Sequence, residues 1–365
     1  MIKVLHVLNS LGAGGAEAFA INTVSALKND DIECDFLIRS ENNLYLDKVK
    51  SMKSNVFIAP SFPKKVFSNY KFMKKFSKQD INNYDFIHIH ANSLIYILPL
   101  LLFKNSNTKI ILHSHNTRAS NVIASLFHKM NKLFFLKYVD IRIACSSKAG
   151  KWMFGNQSYK VIYNSIDLQK FIFDSYNREM IRDKYHIKKD ELLIGSVGRL
   201  AKQKNQKFLL DVFHEILKIE SKARLILVGD GPMRIELEKY SESKKINSKV
   251  TFTGAVTGVE KYYSAMDFFV LPSLYEGFPI ALIEAQASDL TSVVSEESTP
   301  IEANIIDKVW FKSLASNDKD WAKYILEKVM FEKRYDRQKE LYEEGFGIDS
   351  LRKNLVNLYS KTGGR

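Results

Sequence analysis

The chain has 365 residues, of which 45% are hydrophobic and 26% charged, and a formal net charge of +13. That composition excludes a disordered chain, and the length is enough for two substantial domains. The longest apolar run, residues 94–103, contains Pro99 and is too short to cross a bilayer, and MIKVLHVLNS lacks the long apolar core of a secretory segment.

Residues 2–8 read as an apolar strand, 9–15 as a glycine-bearing loop and 16–27 as a helix. Further strands are expected at 34–38, 56–58, 86–89, 109–112, 141–144 and 161–163, with helical segments between several of them. Residues 168–190 are polar, charged and aromatic, and read as a connection. A second series follows, with strands at 192–197, 224–228, 250–253, 268–271 and 290–294. Helices are expected at 206–217 and 279–287, with terminal helical material at 314–333 and 338–359. Alternation of this kind implies mostly parallel sheets covered on both faces. The expected fold class is α/β, as two doubly wound Rossmann-like domains facing a cleft. Residues 1–167 form the first domain and 191–335 the second, with 336–365 packing back toward the first.

The cysteines, Cys34 and Cys145, have no partner at metal-ligand spacing and read as buried free thiols in a reducing compartment. Most of the charge excess lies in residues 1–167, with 22 Lys and Arg against 11 Asp and Glu. Residues 48–78 hold nine lysines and no acid, interleaved with Phe57, Phe62, Phe67, Tyr70, Phe72 and Phe76. Such a segment suits an anionic membrane surface, or a solvated helix face whose aromatics enter the core. Nucleic acid would also be attracted, but no nucleic-acid motif accompanies the charge, so none is expected as a partner. The expected location is the cytoplasm, with a peripheral position on the inner face of the cell membrane as the extension.

Four groups of polar residues carry chemistry. Gly12-Ala13-Gly14-Gly15 follows the first strand and lets a helix present unpaired N–H groups to an anion. It lacks both the dinucleotide fingerprint and the Gly-Lys-Ser/Thr of a P-loop. Arg199 and Lys204, in GRLAKQKN beyond a strand, can supply fixed positive charge to a diphosphate. In PSLYEGFPIALIEA, Glu276 precedes a Gly-Phe-Pro turn and Glu284 lies on the helix after it. There Glu284 can accept hydrogen bonds from paired ribose hydroxyls, Glu276 can hold a sugar, and backbone N–H groups at the helix start can meet either group. The structural alternative is that Glu276 caps the turn and Glu284 pairs with a lysine. His115, in LHSHNT, can donate to a sugar oxygen. His113 is expected on the opposite side and buried, and His90, in FIHIH, is a weaker candidate. No convincing metal-ligand spacing and no Asp-X-Asp after an apolar strand are found, so no metal is expected.

Taken together these segments resemble family four of the retaining glycosyltransferases, with the GT-B architecture, and within it the bacterial exopolysaccharide and capsule enzymes. The resemblance runs nearly end to end, through GAGGAE, LHSHN, CSSKAGKWMFG, YNSID, VGRLAKQKN, VGDGP, FTG and PSLYEGFPIALIEA. The last segment matches the family's Glu-X7-Glu pattern. The resemblance implies that Arg199 and Lys204 bind donor diphosphate, that Glu284 binds ribose, and that Glu276 binds the donor sugar. Gly277, Phe278, Pro279 and Ile280 would add main-chain contacts, His115 would lie near the sugar at the domain interface, and Gly15 beside donor phosphate and acceptor.

The implied reaction is retaining transfer of a hexosyl or N-acetylhexosaminyl group from a nucleotide diphosphate sugar. UDP is favoured over GDP, and the acceptor is a lipid-linked or oligosaccharide hydroxyl. Attack would come from the same face, with donor phosphate helping to remove the acceptor proton. The alternatives are a GT-B phosphorylase, a nucleotide-sugar epimerase, or a non-catalytic glycan- or membrane-binding scaffold. The chain has Asn164-Ser165 where the family often has Asn-Gly, and His115-Asn116 where it often has His-Asp.

Overall fold

The computed structural model describes residues 1–12, 14–40, 43–104, 106–119, 121–329 and 333–361. Ala13 of the first glycine loop and part of the expected helix at 314–333 lie outside the described residues. The chain forms two compact units, Met1–Ser165 with Ile348–Arg365, and Ile166–Gly347.

The first unit alternates strand and helix from its start: β1 (Ile2–Val7), α1 (Gly15–Ala26), β2 (Ile32–Ile38), α2 (Leu46–Ser51), β3 (Val56–Ile58) and α3 (Val66–Gln79). It continues with β4 (Phe86–Ala91), α4 (Leu98–Phe103), β5 (Lys109–Ser114), α5 (Val122–Phe135), β6 (Ile141–Ala144), α6 (Ser147–Phe154) and β7 (Lys160–Val161). The strands form one parallel sheet in the order β3-β2-β1-β4-β5-β6-β7. Strand order reverses between β1 and β4, and in open parallel sheets the crevice beyond that point is where ligands bind. Gly15 and His115 both follow strand ends on this side.

The second unit contains α7 (Ser175–Lys184), β8 (Leu193–Val197), α8 (Gln206–Ile219), β9 (Arg224–Val228), α9 (Arg234–Ser243), β10 (Val250–Phe252) and α10 (Glu260–Ala265). Then come β11 (Phe268–Leu271), α11 (Ile280–Ala287), β12 (Ser292–Ser295), β13 (Val309–Lys312), α12 (Asp318–Lys328) and α13 (Gln338–Glu343). Its parallel sheet runs β10-β9-β8-β11-β12-β13, and the order reverses between β8 and β11. The loops after these two strands carry Arg199, Lys204 and Glu276. Leu209, Leu210, Phe213 and Ile216 of α8 pack with Trp321 and Ile325 of α12 in the main core.

The boundaries differ from those expected. Residues 168–190 belong to the second unit, because α7 is tied to its sheet. Arg178 and Arg182 pair with Asp267 at 2.5 and 3.2 Å, and Asp267 also accepts from the Leu193 N–H at 2.7 Å. Residues 336–347 stay there as well, since buried Asp289 holds Arg337 at 2.9 Å and accepts from the Tyr335 N–H at 2.8 Å. Only α14 (Ile348–Lys361) joins the first unit, where Leu351, Leu355, Leu358 and Tyr359 pack with Val4, Phe19 and Phe86. The helical material expected at 338–359 forms two helices, separated at Gly345, whose φ is 89°.

Candidate active site

In the second unit the glycine motifs form one backbone-packed floor. The Gly198 N–H donates to Val228 O, the Leu200 N–H to Asp230 O, and the Met233 N–H to Leu200 O, all at 2.9–3.0 Å. A Cβ at Gly229, where φ is 132°, would stand 2.2 Å from Gly198 O, and one at Gly231 would stand 2.4 Å from Leu200 O. Both oxygens are main chain and cannot move aside cheaply, so these glycines are required for the loops to stack. The loop bearing Arg199 is thereby fixed. Its guanidinium is exposed and has no partner among the described residues, while its carbonyl accepts from Gln206 Nε2 at 3.0 Å.

Lys204 closes the short turn before α8 and reaches across to the other loop, where its Nζ lies 2.6 Å from Glu276 Oε1. Glu276 is 6% exposed. Two further bonds join the same loops, from the Leu274 N–H to Gln203 O and from Gln203 Nε2 to Tyr275 O, each at 2.8 Å. A buried lysine–glutamate contact this short holds both heads in one place, whereas a solvated pair would wander. Glu276 thus pairs with Lys204, and Glu284 accepts from a tyrosine where a lysine partner was the alternative.

Pro279 is the N-cap residue of α11, one position earlier than a first-turn proline. Phe278 anchors the turn by stacking on Phe346 at 5.3 Å. The helix is locked from behind by Gln286, which donates to Ala303 O and accepts from the Ile305 N–H. Its half-buried Glu284 accepts from the Tyr263 hydroxyl at 2.6 Å. Burial lifts the Glu284 carboxyl to about 7, against the opposing pull of Tyr263 and the Lys204 charge, with Glu260 adding to the rise. Tyr263 itself was not visible as a site residue, since nothing in YYSAM distinguishes it from core aromatics.

In the first unit, Gly15 opens α1 and Gly14 caps it. His115 lies just beyond β5, 9% exposed, with its N–H donating to Ala91 O at 3.1 Å. His113 is on the same side, with ring centroids 4.0 Å apart, not on the opposite one. The strand extends through Ser114, and its period of two places residues i and i+2 on one face. The same rule aligns His88 and His90 on β4, and register adds His6 from β1, so five histidines meet. His6 Nδ1 lies 2.9 Å from His90 Nε2, and His90 Nδ1 lies 2.8 Å from His115 Nε2. His88 bridges the Tyr359 hydroxyl at 2.8 Å and His113 Nδ1 at 3.2 Å.

Two sets, His6/His88/His90 and His90/His113/His115, bring ligand atoms within 4.8 Å, a proximity that sequence spacing did not disclose. The rings stack, and their nitrogens bond ring to ring. Burial keeps the imidazoles neutral: His6 and His115 fall to about 3, and His88, His90 and His113 well below the usual range. A neutral imidazole has one N–H and one lone pair. If His115 Nδ1 carries the proton, its Nε2 accepts from His90 Nδ1 and His90 Nε2 accepts from His6 Nδ1.

Residues 13–170 match the family model for Glycosyltransferase Family 4, and residues 177–345 match that for Glycosyl transferases group 1. The chain is a glycosyltransferase, with a family 4 domain followed by a group 1 domain. This glycosyltransferase is 28% identical over 306 residues to Bacillus subtilis EpsF, named as a glycosyltransferase, covering 81% of this chain and 80% of that one. It is 26% identical over 338 residues to the Staphylococcus aureus capsular polysaccharide biosynthesis glycosyltransferase CapH, covering 86% and 90%. An Escherichia coli UDP-Gal:alpha-D-GlcNAc-diphosphoundecaprenol alpha-1,3-galactosyltransferase is 25% identical, with 80% and 79% covered. The fold is also that of Anabaena HepE crystallised with UDP and glucose, at TM-score 0.80 and 15% identity, over 99% of this chain and 100% of that one.

Proposed function

We propose that this glycosyltransferase is a retaining enzyme of surface-polysaccharide synthesis. It transfers a hexosyl or N-acetylhexosaminyl group from a UDP-sugar to a lipid-linked or oligosaccharide hydroxyl. The observation that carries the donor assignment is the joined pair of loops, Lys204 against Glu276, with Glu284 eight residues further on. UDP is supported by the UDP complex of HepE, and the lipid-linked acceptor by the name of the E. coli relative.

Arg199 and Lys204 neutralise the leaving diphosphate. Glu276 holds sugar hydroxyls, and the α11 start, from Gly277 through Ile280, contributes main-chain donors. Within the first unit, Gly15 and His115 are the residues proposed to bind phosphate and sugar. Attack on the same face, with donor phosphate taking the acceptor proton, requires no protein nucleophile, so Glu276 remains a binding group. Product anomeric configuration, read by proton NMR, tests retention. Release of free nucleotide diphosphate only when acceptor is present separates transfer from phosphorolysis and epimerisation.

Glu284 gives the donor site a pH signature. Ribose hydroxyls donate to a carboxylate better than to a carboxylic acid, and a carboxyl at about 7 is mostly protonated at pH 6. Binding of UDP-glucose or UDP-N-acetylglucosamine, chosen by thermal shift against GDP-sugars, should weaken about tenfold from pH 8 to pH 6. The Glu284→Gln variant should bind weakly with no such slope. Calorimetric titration showing the same affinity at both pH values, or wild-type affinity in the variant, would remove Glu284 from the ribose site.

A further inference from the structure

Helix α5 is built inside out. Val122, Ile123, Leu126, Phe127, Met130, Leu133 and Phe134 are all exposed, from 48% at Met130 to 85% at Val122. At 100° per residue these seven fall within an arc of about 140°, one continuous stripe. The buried residues, Ala124 and His128, lie on the other side. There His128 accepts from the Leu94 N–H at 3.0 Å and stacks on Trp152 at 4.2 Å, while Asn131 Nδ2 donates to Leu94 O at 2.6 Å. The helix is therefore fastened by its small and polar side, leaving its most apolar side toward solvent. Scattered exposed apolar residues need no explanation, but a contiguous stripe of this size does.

Its surroundings carry one sign of charge. Residues 86–166 contain ten Lys and Arg and a single acid, Asp140. Lys129, Lys137, Lys148 and Lys151 are exposed on or after α5 and on α6, and α6 adjoins α5 through Trp152 and the bond from Lys132 Nζ to Trp152 O. By contrast, the lysine-rich segment at 48–78 offers little to insert. Phe76 is buried against Phe57 and Phe103, Phe62 and Phe72 are half-buried, and only Phe67 and Tyr70 of its aromatics are exposed. No helix among the described residues is long and apolar enough to cross a membrane.

We propose that α5 is an interfacial membrane-binding helix, lying in the plane of an anionic bilayer with its apolar stripe among the acyl chains and the surrounding lysines at the headgroups. An apolar stripe bordered by cations matches both layers of such a surface, whereas a purely apolar protein partner would leave the charge unanswered. The assignment deepens the lipid-linked acceptor reading and rests on it only for its purpose, because adsorption is measured without substrate.

The test is sedimentation of the full chain with vesicles of phosphatidylcholine containing phosphatidylglycerol, and with phosphatidylcholine alone. Wild type should sediment with the anionic vesicles, less so as salt rises. A Leu126→Gln/Leu133→Gln variant should partition at least roughly tenfold more weakly. These side chains are exposed, so the variant should keep its melting temperature and donor-induced thermal shift. That shift also reports the donor-site reading separately. Wild type left in the supernatant, or a variant that sediments as wild type does, overturns the proposal. Equally decisive against it would be a wild-type dimer in analytical ultracentrifugation that the variant loses, with no vesicle binding by either, which would make a second copy the occupant of the stripe.

Discussion

Acidification from pH 8 to pH 5.5 should lower the folding stability by a few kcal/mol and bring the melting temperature down. The cause is the set of five histidines in the first unit. An unfolded histidine titrates near 6.5, while burial lowers His6 and His115 to about 3 and holds His88, His90 and His113 well below the usual range. Their folded values are depressed, so the unfolded chain binds more protons and stability falls as pH drops through 6.5. At pH 5.5 an unfolded histidine is about nine-tenths protonated, so each group kept neutral by the fold costs about 1 kcal/mol.

Glu284 acts in the opposite sense. Its folded value of about 7 lies above its unfolded 4.5, so acid returns about 2 kcal/mol over the same range. Five losses outweigh this single gain, so the net effect of acid is destabilising. Thermal melts at pH 8, 6.5 and 5.5 check the sum. A melting temperature unchanged across that range would mean that the cluster takes up protons in the folded state.

The histidine array also shows what a sequence read one strand at a time misses. The histidines of FIHIH and LHSH stood out as local fragments, while His6 in VLHV carried no signal of its own. Their meeting depends on the order β1-β4-β5 and on a register that sets His6 opposite His88 and His90 opposite His113. Neither is written in local periodicity. Five of the six strands of the second unit were read to within a residue or two for the opposite reason. Runs such as RLILV and FFVL are buried on both faces, and their glycine and proline boundaries are local chemistry.

Strand β13 escaped because VWFK is short, lies at the sheet edge and buries only Val309. Residues 168–190 were read as a connection because α7 has a polar surface. What fixes it is the pairing of Arg178 and Arg182 with Asp267, 89 and 85 residues away. On the donor side, the Glu-X7-Glu spacing pointed to both carboxylates but not to their partners. Tyr263 and Lys204 reach them from 21 and 72 residues away.

Replacing either cation of the donor loop by alanine should lower turnover by about 30- to 1000-fold, the effect of removing 2–4 kcal/mol of stabilisation from the departing diphosphate. The two variants should differ in everything else. Arg199 is exposed and unpartnered among the described residues, so Arg199→Ala should keep the wild-type melting temperature and lose only rate. Lys204 lies against Glu276 at 2.6 Å, with Glu276 almost wholly enclosed, so Lys204→Ala leaves a buried carboxylate without that cation and should also destabilise the fold.

The Lys204→Ala/Glu276→Gln double variant separates the two effects. It removes the stranded charge, so stability should return toward wild type while turnover stays low. If activity recovered together with stability, Lys204 would be a structural partner of Glu276 and not a phosphate ligand. If Arg199→Ala turned over normally while folded, the diphosphate would have to be neutralised elsewhere. The expected pattern is an exposed arginine kept for the reaction alone and a lysine held in wait by the glutamate that orients the sugar. In that pattern donor binding draws Lys204 from Glu276 to the diphosphate, and the freed carboxylate is left to the sugar hydroxyls.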